Sequence, residues 1–252
     1  MDLISKQLKN PPVVVALAQL KFNKQNFKLE KVLEYNELIK HHFPIRQNNI
    51  QVGFNFGKTT FPLGESKVSG VSNAEVNSYV YLSKDQRTKL EISADTITYI
   101  DEKQYNGWGA FKTDALEMFD ILSPILNDAE VNRVSIRFVN RFTFDEFSDP
   151  SKYFNALITS SVGESAYPLR QYGFRLIMDV PDTDIYTIVN HNVENITSKY
   201  VYTLDIDVLD RQKLIFDVHT ISDSLENLRT IKNNVFFDTI TDATIDVCNS
   251  QQ

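Results

Sequence analysis

The sequence predicts an α+β protein in which two topologically similar halves share one continuous antiparallel sheet, with the helices on one face. Segments with strand-like alternation outnumber helical stripes, and the same order of elements occurs twice along the 252 residues. Each half has the pattern strand, helix, three or four strands, helix, over residues 1–128 and then 129–252. Because such short strands cannot form separate cores, we expect one compact unit built on a single sheet.

The first half opens with PPVVVALAQLKF (11–22), an apolar, β-branched segment typical of a buried strand. A helix is predicted next, because apolar residues recur at helical spacing up to Pro44: Leu29, Val32, Leu33, Ile39 and Phe43. Strands follow at 50–56, 78–83, 89–94 and 96–101. A second helix is predicted over 107–126, where one stripe carries Trp108, Phe111, Ala115, Met118, Phe119, Leu122 and Ile125.

The second half opens with VNRVSIRFVNRFTF (131–144), again strand-like. Ser148-Asp149-Pro150 then offers an N-cap before a first-turn proline, which predicts a helix through Phe154, Leu157 and Ile158. Strands are predicted at 172–180, 184–192 and 200–208, with a short fourth in KLIFDV (213–218). A long helix with Leu225, Leu228, Ile231, Val235 and Phe236 on one stripe and a last helical turn complete the chain.

The order of elements resembles that of the TATA-box-binding proteins, in which two copies of strand, helix, four strands, helix share one curved sheet. That resemblance concerns topology. The alternative is a single helix-grip sheet wrapped around a long helix, which would enclose a ligand cavity.

Composition limits the classes of function. The chain has 26 basic and 33 acidic residues, a net charge of -7, which argues against a surface that is attracted as a whole to nucleic acid or anionic membrane. The N-terminus lacks a signal-like apolar run and no stretch is long enough to cross a membrane, so we expect a cytoplasmic protein without a membrane partner. The single cysteine, Cys248, excludes a disulfide framework and fits a reducing compartment.

Catalytic and cofactor motifs are absent from the sequence. The eight glycines form no phosphate-binding loop, no GxSxG nucleophile turn occurs, and the four histidines lack metal-site spacing. The adjacent His41 and His42 are better explained by favourable charge at the end of a helix. We therefore predict no cofactor, no metal and no catalytic residue, and favour a protein that is not an enzyme.

The strand 131–144 carries the clearest candidate site. Arg133, Arg137 and Arg141 recur every fourth residue on one parity, whereas Val134, Ile136, Phe138, Phe142 and Phe144 occupy the other. The arginines, roughly 13 Å apart along the strand, could hold successive phosphates of a single-stranded nucleic acid, form a protein-binding face, or pair with carboxylates on neighbouring strands. Asn140 falls on the apolar parity, so we expect its amide to hydrogen-bond backbone at an irregularity of the sheet or near a helix end.

Asp205 and Asp207 are the second candidate pair. They alternate onto one face of the strand YTLDIDV, about 7 Å apart by strand geometry. Two such carboxylates could share a proton, hold a hard cation or answer the arginines. Stacking aromatics for a nucleic-acid platform would have to come from elsewhere, from Tyr79 and Tyr81 or from Tyr172 beside Arg170.

Three segments together resemble a sporadically distributed family of uncharacterised bacterial proteins: Asn10-Pro11-Pro12 at the opening strand, Arg137-Phe138-Val139-Asn140-Arg141, and the C-terminal stretch 236–242. Tyr105, Trp108 and Phe111 fit the middle of that family. The family has no established activity, and its patchy distribution is typical of genes in mobile-element, phage-defence or toxin–antitoxin loci. The chain departs from it at Val15 and Gln19, where the family's first strand usually carries glutamates.

These observations favour a non-catalytic protein that acts by binding a macromolecular partner, with a protein preferred to nucleic acid. The alternatives are a single-stranded nucleic-acid-binding protein that uses the three arginines, and a small-ligand-binding protein or enzyme with Asp205 and Asp207 in an enclosed site.

Overall fold

The computed structural model describes residues 8–23, 28–54, 72–102, 105–127, 129–145, 150–155, 171–196 and 199–250. The strands are β1 Val13–Phe22, β2 Ile45–Phe54, β3 Ser72–Leu82, β4 Thr88–Ser93, β5 Thr96–Glu102, β6 Glu130–Phe144, β7 Gln171–Asp179, β8 Ile185–Ile196, β9 Lys199–Asp210 and β10 Leu214–Ile215. The helices are α1 Asn36–His42, α2 Trp108–Ile121, α3 Ser123–Leu126, α4 Val218–Thr239 and α5 Asp242–Ser250. Two 3₁₀ helices cover Leu29–Tyr35 and Pro150–Lys152.

All ten strands belong to one open antiparallel sheet, in the order β2-β3-β4-β5-β1-β6-β9-β8-β7, with β10 paired to the start of β6. Strands β1 and β6 pair at the centre. Outward from them the other strands follow in reverse chain order, β5, β4, β3 and β2 on one side and β9, β8 and β7 on the other. The predicted α+β fold with one continuous antiparallel sheet is confirmed.

The helices pack on one face of the sheet. Trp108 and Phe111 of α2 lie against Phe138 of β6, with ring centroids 6.4 and 5.8 Å apart. The ammonium of Lys232 in α4 lies 4.5 Å from the centre of the same Phe138 ring. Small residues of β1, Ala16 and Ala18, are fully buried beneath this layer, since larger side chains would hold the helices away from the central strands.

Two helix predictions were wrong in detail. The segment before Pro44 begins as a 3₁₀ helix and becomes α-helical only at Asn36, and Leu33, one of the residues at helical spacing, is exposed. Lys28, at the N-cap position, makes no capping hydrogen bond from its side chain.

The helix predicted after Pro150 is only a 3₁₀ turn in the described residues. Phe154 leaves that turn to form a β-bridge with Ile240, and Asn155 donates its backbone N–H to Thr239 O. Phe154 N–H still donates to Pro150 O at 2.9 Å, so the helical hydrogen-bond pattern ends at Asn155, which pairs with the end of α4. The other residues named for that helix, Ser148, Asp149, Leu157 and Ile158, lie outside the described residues.

The second strand starts earlier than predicted, at Ile45 and not at residue 50, whereas residues 55 and 56 lie outside the described part. Its first residues are polar because β2 is an edge strand whose side chains need not alternate into a core. Among the described residues, no helix is both long and apolar enough to cross a membrane.

Candidate functional site: the open face of β6 to β9

The face of the sheet opposite α2 and α4, called the open face below, carries the predicted site residues. Alternation along β6 buries Val134, Ile136, Phe138, Phe142 and Phe144 on the helical side, as the sequence predicted. In the register with β9, Arg137 lies opposite Asp207, and Val139 opposite Asp205. The pleat therefore brings Arg137, Asp205 and Asp207 to one surface.

Arg137 is held by Asp205, its diagonal neighbour. Its Nε donates to Asp205 Oδ1 at 2.8 Å and a terminal nitrogen donates to Oδ2 at 2.7 Å, a bidentate pair. Asn190 of β8 donates its side-chain N–H to the same Oδ2 at 3.1 Å. The Arg137 side chain is 45% exposed and that of Asp205 only 9%, so the carboxylate depends on these donors. Of the three roles that the sequence allowed for the arginines, pairing with a carboxylate is therefore the one that Arg137 has.

Asp207 is directly opposite Arg137 in the register but makes no bidentate pair with it. Its Oδ1 is buried and has no hydrogen-bond partner among the described residues. Burial raises the pKa of Asp207 to about 6, against the opposing pull of the positive charges of Arg137 and Arg133. This carboxyl group can consequently exchange a proton at mildly acidic pH.

Arg133 and Arg141 have different surroundings. Arg133 donates from a terminal nitrogen to Gln19 Oε1 on β1, and Gln19 in turn donates to Thr98 Oγ1 at 2.9 Å. The Nε of Arg133 is buried without a partner in the described part of the chain. Arg141 is exposed; its backbone N–H donates to Pro12 O at 2.8 Å, and its side chain makes no hydrogen bond to another residue in the described ranges. The three arginines thus do not form one continuous charged face.

Gln19 connects β1 to β6. Its amide oxygen accepts the hydrogen bond that Arg133 donates. The contact between the two central strands at this point therefore joins a charged donor to a neutral acceptor.

Asn140 is 2% exposed and lies on the helical side of β6. Its side-chain N–H groups donate to Leu204 O at 3.1 Å and to Phe138 O at 3.4 Å. The β1–β6 register shifts at this point, between Val13 and Val15, so the asparagine sits at a bulge, as expected from the sequence. Its role is to satisfy backbone carbonyls, and it does not face the open surface.

A depression of about 470 Å³ lies beside this charge pair, between β7, β8 and β9. It is lined by Gly173, Phe174, Arg175, Asn190, Asn192 and Asp205. A Cβ added at Gly173 would come within 2.4 Å of Asn192 Oδ1 and 3.1 Å of His191 O. The position of the Asn192 amide at the edge of the depression therefore depends on the absence of a side chain at position 173.

Sequence reasoning named Asp205 but missed the other residues of the depression. Two signals were present in the sequence. Asn190 and Asn192 alternate with three buried residues, Val189, His191 and Val193, and a glycine lies within β7. Which strand lies beside β9 depends on tertiary pairing, so these signals could not be connected to Asp205 from the sequence.

The chemistry available here is that of binding. Among the described residues, no group of three or more His, Cys, Asp or Glu side chains could hold a metal ion. Asp205 is already paired, whereas the exposed Arg175 and the half-buried Asn192 make no side-chain hydrogen bond to another described residue. A guanidinium and an amide that face solvent beside a shallow hollow can donate to and accept from a bound ligand.

The chain was compared with family models, curated proteins and solved structures, and no match was found in any of the three comparisons.

Proposed function

We propose that this chain is a non-catalytic binding protein that holds a segment of a protein partner in the depression between β7, β8 and β9. The observation that carries this proposal is the hollow of about 470 Å³, with polar side chains that are free to bind. Asn192 has both its donor and its acceptor available, and Asn190 keeps its carbonyl oxygen after donating to Asp205. Side-chain amides match the donor and acceptor groups of an extended peptide backbone.

The shape of the depression favours a macromolecule as the bound partner over a small substrate that must be enclosed. The hollow is shallow and open on the sheet surface, and a bound segment would be only partly surrounded. Small-molecule sites, in contrast, usually bury most of the ligand. The Arg137–Asp205 pair contributes a fixed wall, because its hydrogen bonds are complete without a ligand.

Nucleic acid is less well supported as the partner. Arg137, at the centre of the arginine strand, is committed to Asp205. Tyr79 and Tyr81, which the sequence suggested as stacking residues, are buried, and Arg170, the neighbour of Tyr172, lies outside the described residues. With a net charge of -7, the chain lacks the long-range attraction that nucleic-acid binding uses.

The proposal is tested by affinity purification of the tagged chain from cells of its source, with and without nuclease. Asn192→Trp fills the depression, and Gln47→Trp places the same side chain on an exposed open-face position of β2. We expect a protein to co-purify in stoichiometric amount with the wild type and with Gln47→Trp, and recovery to fall roughly tenfold or more with Asn192→Trp.

Two results would contradict this expectation. A chain that purifies without a stoichiometric partner would argue against the function, and equal recovery by both tryptophan variants would argue against the site. Loss of the partner after nuclease treatment would favour nucleic acid. Circular dichroism of both variants checks that the sheet is intact.

A second candidate function, binding of a small polar ligand, is favoured by one observation. Asp207 Oδ1 is buried without a partner among the described residues, next to Asp205, and a ligand donor could satisfy it. Native mass spectrometry of protein purified from its source tests this: a retained small molecule that is lost in Asp207→Asn would support it, and an unliganded mass in both would oppose it.

A further inference from the structure

The two edge strands of the sheet differ in how they are protected. On β2 the residues Arg46, Gln47, Asn48 and Asn49 are exposed and polar, and the β2–β3 register is interrupted between Asn49 and Ile50. Polar side chains and bulges on an edge discourage pairing with another strand. The β2 edge therefore has the features of a strand that stays unpaired.

Strand β7 has no bulge, and its polar residues do not form a continuous run. Its register with β8 runs without a shift from Gln171 to Asp179, and it contains no proline. Three consecutive apolar residues are exposed on it, Leu176 (43%), Ile177 (62%) and Met178 (40%), so apolar side chains face solvent on both sides of the sheet. A long, regular and apolar edge is a template for pairing with a further strand.

The backbone groups available on this edge can be assigned. Val180 donates its N–H to Ile185 O at 2.8 Å, and Met178 O accepts from the side-chain hydroxyl of Thr187 on β8 at 3.5 Å. Hydrogen-bonding direction alternates along an antiparallel ladder, so the even-numbered residues of β7 face β8. The N–H and C=O groups of Arg175, Ile177 and Asp179 therefore point outward, where no described residue pairs with them.

The side chains of these same residues are complementary to a second copy of β7. If two β7 strands pair antiparallel about a two-fold axis at Ile177, Arg175 of each copy lies opposite Asp179 of the other. Leu176 then lies opposite Met178, and Ile177 opposite its own equivalent. This register joins opposite charges at both ends and covers the exposed apolar side chains in between, whereas a shift of the axis by one residue loses both charge pairs.

From this self-complementarity we infer that the chain forms a homodimer through antiparallel pairing of β7 with β7, centred on Ile177, which makes one sheet continuous across two molecules. The occupant of this edge is a second copy because the strand carries both members of each charge pair at the spacing that an isologous contact needs. The outward backbone groups of Arg175, Ile177 and Asp179 hydrogen-bond to those of the partner. The inference concerns assembly and does not depend on the proposed binding function.

Sedimentation velocity of the full chain over a range of concentrations tests it, with charge-reversal variants. The wild type is expected at twice the 29.0 kDa mass of one chain. Arg175→Asp alone and Asp179→Arg alone place like charges opposite each other and should sediment as monomers. An equimolar mixture of the two variants should form a heterodimer, because opposite charges then meet at both ends, and a chain with both substitutions should again form a homodimer.

Two further variants serve as checks. Ile177→Pro removes an N–H that points away from β8, so the fold should be retained and the dimer lost. Arg46→Asp makes the same charge reversal on the β2 edge and should leave the dimer intact. A wild type that is monomeric at every concentration would overturn the inference, as would a dimer that persists in both single charge variants or failure of the mixed variants to associate. A partner protein bound at β7 of a monomeric chain would likewise overturn it.

Discussion

Arg137 and Asp205 show how an ion pair can occupy the open face of the sheet. The carboxylate accepts two hydrogen bonds from the guanidinium and one from Asn190, so its buried oxygens are satisfied. The arginine remains partly exposed, and solvent screens the pair. The main contribution of Arg137 to stability is therefore that it keeps the Asp205 carboxylate on β9 from being unpaired.

Replacing Arg137 with alanine should destabilise the fold. Asp205 would lose its bidentate partner, and we expect the free energy of unfolding to fall by about 1–2 kcal/mol, less than for a fully buried pair because the guanidinium is half exposed. Urea denaturation at neutral pH measures this. Arg141→Ala, four residues along the same strand, is the matched control and should change stability by no more than about 0.5 kcal/mol. Equal losses in both variants would contradict the importance of the Asp205 pair.

Asp207 should make stability depend on pH. Burial raises its pKa to about 6, above that of an unfolded aspartate, so the folded state binds the proton more tightly. Stability is then greatest below the unfolded pKa near 4 and falls as the pH rises to about 6, by on the order of 2 to 3 kcal/mol.

Asp207→Asn removes this titration while keeping the shape of the side chain. The difference in unfolding free energy between wild type and variant should therefore shift in favour of the variant between pH 4 and pH 7.5, measured by urea denaturation at both values. A difference that does not change with pH would show that Asp207 has an ordinary pKa.

At the scale of elements, the pairing of β7 with β8 shapes the depression. Gly173 lets Asn192 approach to a distance that a Cβ does not tolerate. Gly173→Ala should force the Asn192 amide aside and lower the free energy of unfolding by roughly 1 kcal/mol, the low end of the cost of overpacking, because the displaced group is a side-chain terminus.

The double variant Gly173→Ala, Asn192→Ala tests the cause. Removing the amide relieves the contact, so the double variant should be more stable than the sum of the two single variants predicts, by thermal or urea unfolding. Strict additivity of the two changes would mean that the cost arises from the backbone contact with His191 O.

Strand β6 illustrates what could be predicted at this scale and what could not. Alternation of apolar and polar residues predicted which side of β6 is buried. The polar Asn140 falls on that buried side, and the structure shows it at a bulge. The partner of Arg137 could not be predicted, since it depends on the register between β6 and β9, which is set by contacts far apart in sequence. In the described residues after Pro150 the predicted helix is only a 3₁₀ turn, because Phe154 pairs with Ile240, another long-range contact.

At the scale of the molecule, the two faces of the sheet and its β7 edge differ in what covers them. The helices cover the face that contains Phe138, and the open face carries the Arg137–Asp205 pair and the depression beside it. The β7 edge borders the same depression through Arg175. Dimerisation through this edge would place two depressions on one continuous surface, on opposite sides of a two-fold axis.

Order of elements was the most informative property of the sequence for the whole molecule. It predicted one antiparallel sheet with helices on one face, because each helix has a single apolar stripe that must be covered. The position of the depression could not be predicted from any local sequence pattern, because its lining residues come from three strands that are neighbours only in the folded sheet.

The central claim, that the depression between β7, β8 and β9 binds a protein partner, is tested most directly by site-specific photo-crosslinking in cells of the source. A photoreactive amino acid is placed at Asn192, or at Gln47 on the open face of the first half. We expect a discrete covalent adduct with another polypeptide from position 192 and none from position 47. The absence of an adduct at position 192, or the same adduct from both positions, would contradict the account.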